Sequence, residues 1–278
     1  MANRIGTSTY SFWHFTPEKV PIEYVFEQAR RLDLDAVEIL HVQMESESND
    51  YLQHLKRMAY AFGLDISCLA IHQGFVSPDP EERRKNVEHT LRCIEIAYHL
   101  GAPSIRLNSG RWGTASSFDE LMALRGQEPA LPGFGEEDAH GWVVDSIRQC
   151  LPLAEERGVV LALENHWGLT AAPEQVLRIL RDVDSDWLGV TLDCGNFLDD
   201  PYGKLAELAP HASQVHAKTY YGGGVWYTLD LDYGRIAAML RQAGFTGYVT
   251  LEYEGRQDPL VGVSRSVEML RQHFGWDS

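Results

Sequence analysis

A chain of 278 residues with 44% hydrophobic and 23% charged side chains can bury one large core, and this composition excludes a disordered or fibrous protein. The net charge of −16, from 40 acidic against 24 basic residues, repels a nucleic-acid backbone or an anionic membrane surface at long range, while leaving a neutral sugar open as partner. No apolar stretch approaches the roughly 18 residues of a membrane span, and Met1-Ala2-Asn3-Arg4 leads into a strand-like run without an apolar leader, so a cytoplasmic protein is expected.

Eight strand-like runs follow in order: Ile5–Ser8, Ala36–Ile39, Ile66–His72, Ser104–Asn108, Val159–Glu164, Leu188–Asp193, Gln214–Lys218 and Tyr248–Glu252. Helical periodicity fills the gaps. Ile22, Val25, Phe26, Ala29 and Leu32 recur at helical spacing, as do Val87, Leu91, Ile94 and Tyr98, and later Ile236, Met239, Leu240 and Ala243. The segments Leu52–Phe62, Val143–Ala154, Val176–Val183 and Val267–Leu270 are similar, and a short, weak pattern surrounds Leu205 and Leu208. Gly63, Gly101, Gly158 and Gly244 each follow a helical pattern and precede a strand, where a left-handed C-cap belongs. Strand then helix, eight times, predicts an α/β fold: a single (β/α)8 TIM barrel over residues 1–278, near the roughly 250 residues such barrels need. The irregular stretch Gly110–Gly141 predicts a long loop after the fourth strand, on the barrel face where insertions shape active sites. Cys68, Cys93, Cys150 and Cys194 form no CxxC pair, so reduced, buried thiols are the expectation.

Four metal-seeking side chains stand at the ends of four successive runs: Glu164, Asp193, His216 and Glu252. The intervals between them each leave room for one helix and two loops, the repeat of a βα unit. Three carboxylates crowded into one mouth repel one another unless a cation neutralises them or their pKa values shift. One imidazole among carboxylates suits Mn²⁺ first, with Mg²⁺, Co²⁺ and catalytic Zn²⁺ as alternatives. Any one of these residues alone is more often a helix cap or a salt-bridge partner; the argument lies in their matching positions.

The runs Leu163-Glu164-Asn165-His166, Thr191-Leu192-Asp193-Cys194-Gly195-Asn196, Val215-His216-Ala217-Lys218 and Thr250-Leu251-Glu252-Tyr253 resemble the strand-end motifs of the xylose-isomerase-like TIM-barrel superfamily, the sugar phosphate isomerase/epimerase family. Gly6-Thr7-Ser8, Ala36-Val37-Glu38 and Ala97-Tyr98-His99-Leu100-Gly101-Ala102 fit as well. The resemblance implies a divalent-metal-dependent ketose 3-epimerase, aldose–ketose isomerase, inosose dehydratase or related sugar enzyme with no organic cofactor. In its epimerases the residues matching Glu164 and Glu252 both bind the metal and move the substrate proton, which leaves Asp193 and His216 as ligands only. A metal-chelated carbonyl and hydroxyl acidify the C–H between them, and a carboxylate on each face can exchange that proton. Two departures stand out: Asn196 where many members have histidine, and Thr219 where aspartate is common. With the acidic charge, Asn196 argues against the endonuclease branch and its multi-metal cluster.

Substrate contacts are expected from His72, Asn108, His166, Asn196, Lys218 and Trp112, with Arg106 entering the barrel to pair with Glu164 or another inward carboxylate. Aromatic residues in the loops of the same face, Tyr10, Phe12, Trp13, Trp112, Trp167, Tyr220, Tyr221, Trp226 and Tyr227, suit stacking on sugar C–H surfaces, about half of them against the pocket and the rest in packing. Three readings compete: an isomerase or epimerase acting beside a carbonyl, a lyase of the same fold acting on an inosose or by β-elimination from a 3-keto glycoside, and a non-catalytic sugar-binding subunit. The expected partner is a small sugar or cyclitol, with neither nucleic acid nor membrane, and a homo-oligomer is compatible.

Overall fold

In the computed structural model of the chain, residues 3–275 are described; Met1, Ala2 and residues 276–278, the ends of the domain expected over 1–278, lie outside the described residues. Eight parallel strands close in sequence order: β1 (Arg4–Ser8), β2 (Ala36–Leu40), β3 (Asp65–Ala70), β4 (Ser104–Leu107), β5 (Val160–Glu164), β6 (Leu188–Asp193), β7 (Ala212–Thr219) and β8 (Tyr248–Tyr253). The closure is made by β1 on β8, with Arg4 opposite Tyr248 and Thr7 opposite Leu251. Outside the strands run α1 (Ile22–Arg31), α2 (Asn49–Phe62), α3 (Pro80–Leu100), α4 (Phe118–Ala123), α5 (Glu136–Arg157), α6 (Pro173–Val183), α7 (Pro201–Leu208), α8 (Tyr233–Gln242) and α9 (Pro259–Phe274). This is a (β/α)8 TIM barrel.

Local chemistry explains the punctuation. Gly63, Gly101 and Gly158 cap α2, α3 and α5 with φ of 71°, 77° and 66°, the left-handed conformation that lacks a Cβ penalty in glycine. Helix starts are equally marked. Asp79 accepts from the Glu81 amide ahead of Pro80, and Asp258 accepts from the Leu260 amide ahead of Pro259. The apolar faces of the helices and the outward strand residues make one continuous core around the barrel, from Ile5 through Phe26, Leu69 and Ile147 to Phe274. No helix among the described residues is long and apolar enough to cross a membrane.

The structure corrects the sequence reading in several places. The third and fourth strands end at Ala70 and Leu107, so His72 and Asn108 lie beyond them. The irregular segment is shorter than Gly110–Gly141: it contains α4, and α5 begins at Glu136, placing Gly141 inside a helix. The acidic triplet Glu136-Glu137-Asp138 suits the positive end of the helix dipole, and this start signal outweighs the low helix propensity of Gly141. The weak pattern around Leu205 and Leu208 belongs to a genuine helix, α7, which Pro201 opens.

Candidate active site

Strand alternation aims Glu164, Asp193, His216 and Glu252 into the barrel at its C-terminal end. Glu164 lies opposite Thr191 across the β5–β6 pair, Asp193 opposite His216 across β6–β7, and Glu252 opposite Lys218 across β7–β8, so the inward side chains of four adjacent strands meet at the C-terminal end of the barrel. A register shift in the β6–β7 pair between Val190 and Thr191 precedes that alignment.

His216 is the hub. Its Nδ1 lies 3.2 Å from Glu164 Oε1, 3.5 Å from Glu252 Oε1 and 3.8 Å from Asp193 Oδ2. Its Nε2 stands 2.8 Å from Glu38 Oε2, a carboxylate fully buried in the barrel. Glu38 is a site residue that sequence reasoning missed, as is Glu254, which lies 3.5 Å from Lys218 and lines the cavity. The signal was present, because a glutamate in the middle of Ala36-Val37-Glu38-Ile39-Leu40 has no reason to be buried unless a partner waits for it. A register shift between β2 and β3 occurs at this point, between Val37 and Glu38. Beneath it Gln214 Nε2 donates to Thr191 Oγ1 at 3.0 Å and reaches Glu38 Oε2 at 3.4 Å, so the barrel interior under the site is polar.

Two cations compensate the carboxylates. Arg106, inward from β4 as expected, donates from one guanidinium nitrogen to Glu164 Oε2 at 2.8 Å and from another to Ile71 O at 3.2 Å. Lys218 Nζ donates to Asn196 Oδ1 at 2.8 Å and lies 3.3 Å from Asp193 Oδ2, 3.5 Å from Glu254 Oε1 and 3.9 Å from Glu252 Oε2. Gly195 makes room for this lysine, since a Cβ there would stand 2.6 Å from Lys218 Cδ. Lys218 is therefore a member of an ion-pair cluster and also faces the cavity.

The electrostatics divide the carboxylates. Burial alone would raise Glu164, but the Arg106 guanidinium ahead of all other groups, with His216 behind it, holds it well below the usual carboxylate range. Burial dominates at Asp193 and pushes it up to about 7, and burial raises Glu252 against the opposing charges of His216 and Lys218. Against its protein neighbours alone, His216 overcomes its burial through Glu38 and Glu252 and is raised well above the ordinary histidine value. Burial lowers His72 to about 3 and His166 to about 4, so both imidazoles are uncharged at neutral pH.

This donor set fits a divalent cation. Glu38 Oε1 is buried with no hydrogen-bond partner, Asp193 Oδ2 has only the Lys218 ammonium at 3.3 Å, and two donor groups share His216, one with Glu164 and Asp193 and one with Glu38 and Glu252, each with donor atoms within 4.8 Å of one another. A buried acceptor without a donor is costly, and a cation among such oxygens removes the cost. Glu38 would then hold His216 by the ring nitrogen left free of the metal, the usual outer partner of a ligating histidine.

Above the four residues opens a cavity of about 280 Å³. Glu164, Glu252, Glu254, Arg106 and Lys218 supply its polar wall, and His72 and His166 flank it, with His166 Nε2 3.9 Å from Glu164 Oε2. Tyr10, Phe15, Phe118, Trp167 and Trp226 form an aromatic collar. Phe118, carried by α4, stands 5.4 Å from both the Trp167 and the Trp226 rings, and Trp226 Nε1 donates to the Tyr10 hydroxyl at 2.9 Å. Of the named substrate contacts, His72, His166 and Lys218 reach this cavity. Asn108, Asn196 and Trp112 do not. Asn196 spends both ends of its amide, donating to Asn165 O at 3.0 Å and accepting from Lys218, and Trp112 packs edge-on against Trp142. Asn108 sits past the end of β4, its backbone paired with the Gln73 side chain. Among the aromatics, Phe12 and Trp13 are buried in packing, while Phe15 and Phe118 join the wall unforeseen.

A parallel (β/α)8 barrel with a charged, carboxylate-rich cluster at the C-terminal mouth defines the class of TIM-barrel proteins whose working face is the strand ends. Within that class, the chain belongs to the xylose isomerase-like TIM barrel family, whose model matches residues 26–273. A relative from Methanocaldococcus jannaschii, described only as an uncharacterized protein, is 22% identical, covering 94% of this chain and 86% of its own length. Solved structures of the same fold include D-psicose 3-epimerase from Clostridium cellulolyticum H10 with D-tagatose, at TM-score 0.78 and 16% identity, covering 98% of this chain and 99% of that one. The 3-keto-D-glucoside 4-epimerase of E. coli aligns at TM-score 0.75 and 19% identity, covering 97% and 99%, and an L-ribulose 3-epimerase at 0.77 and 16%, covering 98% and 95%.

Proposed function

We propose that the protein is a divalent-metal-dependent isomerase or epimerase acting on a sugar or keto-sugar by proton abstraction next to a carbonyl. The carrying observation is the convergence of Glu164, Asp193 and Glu252 on one nitrogen of His216 while Glu38 occupies the other. Glu164, Asp193, His216 and Glu252 would hold the cation, with Mn²⁺ as the first expectation. When bound, the cation supplies Lewis-acid polarisation of a substrate carbonyl.

The chain's own groups do the rest. Glu164, kept ionised by Arg106, and Glu252, on the wall of the same cavity, are the carboxylates that would take and return the substrate proton. Lys218, His72 and His166 orient substrate oxygens from the cavity wall, the two histidines as uncharged hydrogen-bonding groups. The aromatic collar excludes water and covers the C–H face of a sugar. The four described cysteines are free and buried, in keeping with a reducing cytoplasm. The epimerase activities of the structural relatives support the same chemistry here.

One observation favours a second reading. Phe118 and the 44% exposed Trp226 extend the apolar wall outward beyond the polar floor, which suits a substrate carrying a group beyond the sugar ring, as in β-elimination from a 3-keto glycoside. A single experiment separates the readings: Mn²⁺-loaded protein incubated in deuterated buffer with ketoses, inososes and 3-keto glycosides. Deuterium entering the carbon beside the carbonyl, with no group expelled, is expected for the epimerase; release of an aglycone or of water identifies the lyase, and no exchange on any of them overturns both. Glu164→Gln and Glu252→Gln should keep the metal and slow exchange by roughly a hundredfold or more.

A further inference from the structure

Away from the barrel mouth, three donors meet between α3 and the turn that follows β2. His89 and Cys93 stand one helical turn apart and share a face of α3, and His41 reaches that face from the turn at residues 41–43. One donor atom of each lies within 4.8 Å of the others. Cys93 Sγ is 3.6 Å from His89 Nε2, and the rings of His41 and His89 meet edge-on with centroids 5.2 Å apart. Cys93 is buried, whereas His89 is partly open to solvent and gives an ion a way in.

A thiol–imidazole contact accounts for His89 and Cys93, and ring packing on His89 uses the face of His41 but leaves its ring nitrogens unexplained. The His41 side chain is only 10% exposed, and its Nε2 lies 2.9 Å from Glu47 Oε1. Because a carboxylate only accepts, Nε2 carries the proton and Nδ1 carries the lone pair. That Nδ1 is buried and has no partner. An imidazole held by a carboxylate at one nitrogen and idle at the other is the arrangement of a metal-ligating histidine.

We propose that His41, His89 and Cys93 form a second cation site, with ligands separate from those of the barrel mouth, that takes Zn²⁺. Two imidazoles and a thiolate select zinc over Mg²⁺, Ca²⁺ or Mn²⁺, and three protein ligands leave a fourth position for water. On binding, the Cys93 thiol releases its proton to solvent and an S–Zn bond forms. His89 ligates through Nε2, so its proton moves to Nδ1. Arg92, which donates to that Nδ1 at 3.1 Å, then lets go and stays on Glu47, whose Oε2 is already 3.1 Å from Arg92 Nε. The guanidinium opposes a dication and the thiolate and Glu47 offset it, which makes this a weaker site than a four-ligand structural zinc centre. Since His41 follows Leu40, a wall residue of the central cavity, an ion here clamps the end of β2 to α3.

The proposal stands independently of the function assigned to the mouth, whose donors include no sulfur. Co²⁺ is the probe, added to native protein pre-equilibrated with Mg²⁺. A near-ultraviolet thiolate-to-cobalt charge-transfer band that rises to saturation on titration is expected, and Zn²⁺ should displace it. Cys93→Ser should abolish the band, and His41→Ala should weaken Co²⁺ binding by at least roughly tenfold. Absence of the band from the native protein, or a band of full intensity in Cys93→Ser, overturns the site. Should Cys93→Ser fail to fold, His41→Ala decides alone: unchanged Co²⁺ affinity overturns the site and a tenfold loss supports it.

Discussion

Glu38 and Asp193 show how single residues set the properties of the mouth. Glu38 does not line the cavity, yet it lies 2.8 Å from His216 Nε2 and fixes that ring. Glu38→Gln keeps the shape and removes the charge, so Mn²⁺ affinity is expected to fall by about 10- to 100-fold with the fold intact, as read by metal titration and far-ultraviolet circular dichroism. Asp193, pushed up to about 7 by burial, must give up its proton to ligate, and a protonated carboxyl cannot compete. Mn²⁺ affinity is therefore expected to weaken as pH falls through 7, approaching roughly tenfold per pH unit for each displaced proton. Affinity that is flat between pH 8 and pH 6 would remove Asp193 from the ligand set.

Among the elements, α4 carries the difference between a bare barrel and this one. It interrupts the connection from β4 to α5 and places Phe118 against Trp167 and Trp226, which arrive from the loops after β5 and β7. Three connections thus close one collar. Phe118→Ala should raise KM roughly tenfold, equivalent to about 1.4 kcal/mol, while leaving metal affinity unchanged. A KM that does not move for any turned-over substrate would make the collar packing only. The same element shows why the sequence reading faltered here: a six-residue helix offers too little periodicity to stand out, and Gly141 breaks the pattern at the start of α5.

For the molecule as a whole, the strands carry like charges into a shared interior. Glu38, Glu164, Asp193 and Glu252 are all buried, against Arg106 and Lys218. A cation that binds only the folded barrel stabilises it by mass action, by about 2.7 kcal/mol at one hundred times its Kd. For a chain of this size that corresponds to a rise in Tm of about 5 °C. Calorimetry of chelator-treated protein with and without Mn²⁺ should show the rise, and an unchanged Tm would argue against any tight site at the mouth.

The order and number of strands, the helices between them and the strands that carry Glu164, Asp193, His216 and Glu252 were all legible in the chain, because period-two and helical patterning and glycine caps are local properties, although His216 stands inside β7 and not at its end. Arg106 was legible as well, by alternation along β4. What only the tertiary structure decided is which side chains meet. Glu38 lies 178 positions from His216 and joins it because β2 and β7 face each other across the closed barrel. Asn196 is drawn away from the cavity by Asn165 and Lys218, Trp112 by Trp142, and Phe118 is brought in by a helix too short to announce itself. Strand alternation says that a side chain points inward; only closure of the barrel says what it finds there.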